Sequence, residues 1–129
     1  MGYRLHHVHL ICRDLKKMIA FFEDVIGAKF VEHRKFGNAD GAMLDLQGIT
    51  INLRVSREDE EIGENISRSN YGFDHIGLLV EDLEAARENL TQRGYSFFVP
   101  PTETADYIIA FFKGPENISI ELLQPLEQK

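Results

Sequence analysis

The chain has 129 residues, 43% of them hydrophobic and 27% charged, which fits one domain or two small units sharing a core. Its formal net charge of −7 argues against a nucleic-acid or anionic-membrane partner, and no stretch approaches about 18 consecutive apolar residues. The opening residues lack the form of a signal peptide, and the lone Cys12 leaves no intrachain disulfide, so a cytoplasmic home is expected.

The first element in chain order is a β-rich run over residues 6–12. Successive side chains of a strand point to opposite faces. Val8, Leu10 and Cys12 therefore share one apolar face, and His7 and His9 share the other. Cys12 reads as a buried structural thiol. Asp14 then suits a helix N-cap, since its carboxylate can accept the free amides of the first turn. Leu15, Met18, Ile19, Phe22, Val25 and Ile26 follow at helical spacing, and Gly27 supplies a stop. Strands are expected near residues 29–36, 42–47 and 49–55, with Gly48 marking a tight hairpin. The acidic run over residues 57–64 reads as a solvated loop.

From residue 74 the pattern begins again. His75 stands 68 positions after His7, and Asp82 stands 68 after Asp14. The offset is 67 between Gly27 and Gly94, and 69 where Ile51-Asn52-Leu53 meets Ile120-Glu121-Leu122. Asp82 and Gly94 bracket a second helix with Leu83, Ala86 and Leu90 inward, and both aspartates read as caps rather than as catalytic groups. Further strands are expected near 95–99, 106–113 and 117–123, with a longer turn at Lys113 to Asn117.

The fold class is therefore α+β: two tandem βαβββ modules forming a cupped mixed β-sheet with the helices outside. One domain over 1–129 would comprise a module at about 4–56, a linker at about 57–70 and a module at about 71–125. Parity places Ile76, Leu78 and Val80 on the helix side, and His75 and Gly77 in the cup. In the closing strands Ile51 and Leu53 oppose Asn52 and Arg54, while Ile120 and Leu122 oppose Glu121. Four polar side chains thus occupy two repeat-related pairs of places, His7 with His75 and Asn52 with Glu121. An ionised Glu in so apolar a run needs a partner. Two imidazoles and a carboxylate on one cavity form a typical ligand set for a divalent cation, while a buried ion pair of Glu121 with a protonated His is the simpler alternative.

These modules, the histidines of the opening strands and the closing Ile120-Glu121-Leu122 strand resemble the vicinal oxygen chelate superfamily over about residues 4–125. That group includes glyoxalase I, methylmalonyl-CoA epimerase, extradiol dioxygenases and fosfomycin-resistance proteins. The resemblance implies metal ligands at His7, Asn52, His75 and Glu121, and a divalent ion drawn from Zn, Ni, Co, Mn or Fe. Asn52 departs from the pattern, since glyoxalase I proteins usually carry a carboxylate or glutamine there and the epimerases a glutamine. Without it, two His and one Glu with open positions resemble the triad of the dioxygenases and the site of the fosfomycin-resistance enzymes.

Asp45 falls on the cup side of its strand, where an epimerase-like alignment places a catalytic glutamate; a solvated or ion-paired rim carboxylate is the other reading. Arg54 suits a substrate carboxylate or phosphate, or the neutralisation of local acids. His9 suits a hydrogen-bond donor behind a ligand, a base or an alternative ligand, and Tyr107 a donor to a bound oxyanion. His6 and His33 read as surface or packing residues. The resemblance implies first a lyase or isomerase of glyoxalase or epimerase type, with Glu121 and Asp45 moving a proton beside two neighbouring substrate oxygens. A non-haem Fe(II) ring-cleaving dioxygenase and a non-catalytic small-molecule binding or resistance protein are the alternatives. It also implies a homodimer, with His7 available to a site in the opposite chain.

Overall fold

The computed structural model describes residues 2–64 and 69–127. The chain divides into two compact units, residues 1–64 and 65–129. Part of the expected linker, residues 65–68, lies outside the described residues.

Unit one comprises β1 (His7–Ile11), α1 (Leu15–Ala20), a π-helical turn (Phe21–Ile26), β2 (Lys29–Phe36), β3 (Ala39–Leu46) and β4 (Ile49–Arg54). Its sheet runs β1-β4-β3-β2, with β1 parallel to β4 and the other pairs antiparallel. Val8 pairs with Ile51, Leu10 with Leu53, and Ala42 and Leu44 oppose Leu53 and Ile51, so one face of the sheet is continuous and apolar. Met18, Phe21 and Phe22 are buried with it. Cys12 is buried as expected.

The first helix departs from the expected uninterrupted run. It widens to π geometry at Phe21, which lets the adjacent Phe21 and Phe22 both be buried, where a 3.6-residue period turns one of them outward. Gly27, at φ 92°, closes it, and the Gly27 and Ala28 amides both donate to the Phe22 carbonyl. The expected hairpin is present: Gln47 and Gly48 both have positive φ, the signature of a two-residue turn that matches strand twist.

Unit two repeats the plan with β5 (Ile76–Leu79), α2 (Leu83–Gln92), β6 (Phe97–Glu103), β7 (Tyr107–Lys113) and β8 (Ser119–Pro125), in the order β5-β8-β7-β6. The β5 and β8 strands are parallel. Leu83, Leu90, Ala110, Phe112, Ile120 and Leu122 are buried. Asp14 Oδ1 accepts from the Lys17 amide and Asp82 Oδ1 from the Ala85 amide, both at 3.0 Å. Capping explains both aspartates. The β6 strand runs on through Pro100 and Pro101, beyond its expected end at residue 99, because it is an edge strand and shifts register twice beside β7. Among the described residues no helix is long and apolar enough to cross a membrane.

Candidate functional site

Unit two carries the most developed polar cluster on the sheet face away from its helix. His75 immediately precedes β5, and Glu121 on β8 is the register partner of Gly77. His75 Nε2 stands 3.0 Å from Glu121 Oε1, and His75 Nδ1 stands 2.8 Å from Asp74 Oδ2. Asp74 is a suitable acceptor for a proton on Nδ1, which leaves Nε2 facing Glu121, where it either shares a proton with that carboxylate or meets a cation. The Phe111 ring stands edge-on to His75 at 4.9 Å and is the register partner of Glu121. Gly77 lies beside this carboxylate: a Cβ there would meet Leu123 Cδ1 at 3.3 Å and Glu121 Oε1 at 3.6 Å, an ordinary contact distance.

The spacing of the pair fits a cation as well as a hydrogen bond. On an octahedral cation two donors bound at about 2.1 Å and at right angles stand about 3.0 Å apart, against about 3.4 Å on a tetrahedral one. An Asp–His pair behind the donor nitrogen is also the arrangement that orients a metal-binding imidazole.

Unit one offers the equivalent places with different side chains. His7 and His9 lie on the open face of β1, with His9 the register partner of Asn52 and His7 of Thr50. His7 Nδ1 stands 2.9 Å from His6 Nδ1, as His75 Nδ1 stands beside Asp74. The His9 ring packs edge-on against Phe36 at 4.5 Å. Burial, then the positive charges of Arg54, His7 and Arg57, push the His9 pKa below its ordinary value. Asn52 is 6% exposed, and its Oδ1 is buried without a hydrogen-bond partner. Where Glu121 has Gly77 beside it, the shorter Asn52 has the larger His9.

Arg54 is buried, and its two Nη atoms donate to Glu60 Oε1 and Oε2 at 2.7 and 2.8 Å. This fork, with a further bond from the Arg57 amide, takes the Glu60 pKa down to about 2. Arg54 therefore neutralises a local acid, one of the two roles expected of it. The acidic run is correspondingly not wholly solvated.

Asp45 accepts from the Gly48 amide at 3.4 Å, which ties it to the β3–β4 turn. Tyr107 is exposed at the start of β7, four residues and about 13 Å along the strand from Phe111. His75 and Glu121 thus meet within unit two, while His7, His9, Asn52, Asp45 and Arg54 belong to unit one. Among the described residues no three His, Cys, Asp or Glu side chains gather within reach of one cation.

Sequence reasoning passed over Asp74, Glu60 and Lys113. Asp74 had a signal, since it stands in the repeat where His6 stands. Glu60 had none, because a loop acid carries no periodicity.

The family described as the Glyoxalase/Bleomycin resistance protein/Dioxygenase superfamily matches residues 6–111. Lactoylglutathione lyase of Schizosaccharomyces pombe is 26% identical over 98% of this chain and 49% of its own length, so the chain spans about half of that relative. The glyoxalase family protein from Bacillus cereus superposes with a TM-score of 0.84 at 19% identity, over 98% of this chain and 97% of that one. The fosfomycin resistance protein FosX from Mesorhizobium loti gives 0.72 at 21% identity, over 98% and 94%. Their fold is the fold described above. With its two βαβββ units and the match over most of its length, the chain belongs to the Glyoxalase/Bleomycin resistance protein/Dioxygenase superfamily.

Proposed function

We propose that the chain is a divalent-metal-dependent lyase or isomerase of glyoxalase or epimerase type, acting on a small molecule with two neighbouring oxygens. The observation that carries this reading is the line Asp74–His75–Glu121, which presents an oriented imidazole nitrogen and a carboxylate oxygen 3.0 Å apart on an open sheet face. His75 and Glu121 would hold the cation, with His7 as third ligand from this chain or a second copy, and Asn52 as a fourth neutral one. The cation would supply Lewis-acid polarisation of the substrate oxygens. Glu121 would take or return the proton beside them, and Asp45 is the second carboxylate of the proposal. The lactoylglutathione lyase relative supports the reaction class. A homodimer and a cytoplasmic home suit the same reading.

The test is solvent-deuterium exchange by metal-loaded protein into an α-hydroxyketone, a hemithioacetal and an acyl-CoA. Exchange into at least one, lost in Glu121→Gln, supports the proposal; no exchange into any of them sinks it.

Asn52, neutral and one methylene shorter than a glutamine, favours a second reading, a three-ligand Fe(II) site open to oxygen and a catechol. Oxygen uptake after anaerobic iron loading separates it from the first. Metal-independent ligand binding with neither activity would instead mark a binding or resistance protein.

A further inference from the structure

We infer that Lys113 and Ser119 form an oxyanion-binding pair beside the His75–Glu121 cluster, and that the ligand of unit two carries a carboxylate or phosphate on an apolar or aromatic body. Ala110 and Phe112 are fully buried toward the helix, so Phe111 and Lys113 of β7 face the other way, with Glu121 and Ser119 as their register partners on β8. His75 is one residue before Ile76, whose partner is Ile120, and so stands level with Ser119. One row across the open face is therefore His75, Ser119, Lys113, and the next is Gly77, Glu121, Phe111. Rows two residues apart along a strand are about 6.7 Å apart, within the span of a small metabolite.

Lys113 Nζ donates to Ser119 Oγ at 2.6 Å and sits over the Phe98 ring at 4.9 Å. No carboxylate among the described residues forms an ion pair with it, although the chain holds 21 acidic residues against 14 basic ones. An ammonium has three donors, and Ser119 takes one. Because Ser119 Oγ accepts from Lys113, the hydroxyl keeps its own proton to donate. The pair thus offers N–H and O–H donors beside an ammonium that has no carboxylate counter-ion among the described residues. Phe98, about half exposed, stands 5.7 Å from Phe111, so an apolar surface adjoins the donors. An anion with an aromatic or apolar body matches both features, and its charge is opposite to that of Lys113.

The inference rests on the proposed function only in taking this oxyanion to be part of the substrate; the binding itself needs no cation. The probes are phenyl phosphate, phenylacetate and neutral benzyl alcohol, titrated into chelator-treated full-length protein with the backbone amides followed by NMR. The expected result is that at least one anion shifts the Lys113 and Ser119 amides, more weakly at high salt, while benzyl alcohol binds at least about tenfold more weakly. Whichever anion binds assigns carboxylate or phosphate. Lys113→Met should weaken that anion about tenfold or more, Lys113→Arg should retain most of the affinity, and Ser119→Ala should lose part of it. Amide spectra confirm that each variant is folded. Equal binding of anion and alcohol, no binding of either anion, or a folded Lys113→Met variant with unchanged affinity overturns the proposal. Because these titrations are free of metal, failure of the metal reading leaves their outcome unaffected, and the converse holds too.

Discussion

Replacing Asn52 by leucine separates a structural residue from one kept for a ligand. Asn52 is 6% exposed in the centre of its sheet, between His9 and Met43, and its Oδ1 makes no hydrogen bond within the protein. A buried carbonyl without a donor costs about 1–3 kcal/mol relative to its hydrated state. Leucine has similar length and branching, and its slightly greater bulk returns part of that gain. The net expectation for metal-free protein is a stabilisation of about 1–2 kcal/mol. With an unfolding entropy of about 0.27 kcal/mol/K for a chain of this size, the midpoint rises by about 4–7 °C. Thermal unfolding after chelation measures it, and metal titration of the same variant measures what the stability gain costs in binding. A more stable apo protein with weaker metal affinity is the expected pair of results. A destabilised apo protein would refute the reasoning, because it would mean that Oδ1 has a partner in the folded chain.

Three further outcomes follow from the structure. Gly41→Ala should lower the unfolding midpoint by about 7–11 °C, equivalent to about 2–3 kcal/mol: the added Cβ would meet the Leu53 carbonyl oxygen and lie 2.5 Å from the Phe36 ring, which packs on His9; calorimetry checks it. The Glu60 pKa is depressed in the fold to about 2 from 4.5, so its contribution to stability is fully present above about pH 4.5 and is lost as the pH falls toward 2. Denaturant midpoints measured across that window should fall more steeply for the native chain than for Glu60→Gln. Asp74→Asn should weaken metal affinity about 10–100-fold, because the neutral amide no longer raises the basicity of His75; competition with a chromogenic chelator reads it, and an unchanged affinity removes Asp74 from the site.

The scaffold was legible because its signals are local and stated twice. Asp14 and Asp82 cap as their positions demand, the Gln47-Gly48 turn follows from two positive-φ residues, and the alternation of Val8, Leu10 and Cys12 fixes which side His7 and His9 take. Elsewhere long-range packing overrides the local rule. Two adjacent phenylalanines open the first helix into a π turn, and β6 passes through two prolines that an inner strand would not admit. The candidate site divides in the same way. Parity assigns His75 and Glu121 to one face, and the structure brings them to 3.0 Å. Parity says nothing about reach, so it gave no sign that Glu60 returns from the acidic run to occupy Arg54. Lys113 was hidden for a related reason: it adjoins Gly114-Pro115, and a turn signal masks a side chain at the end of the preceding strand.

The proposed cation lies between His75 and Glu121 on the open face of unit two. Mass-spectrometric metal analysis of protein loaded with Zn, Ni, Co, Mn or Fe and then desalted tests it directly, alongside folded His75→Gln and Glu121→Gln variants. About one ion of at least one of these metals per native chain, and close to none in either variant, is the expected result. A native chain that refuses every metal, or variants that retain the full complement, would contradict it.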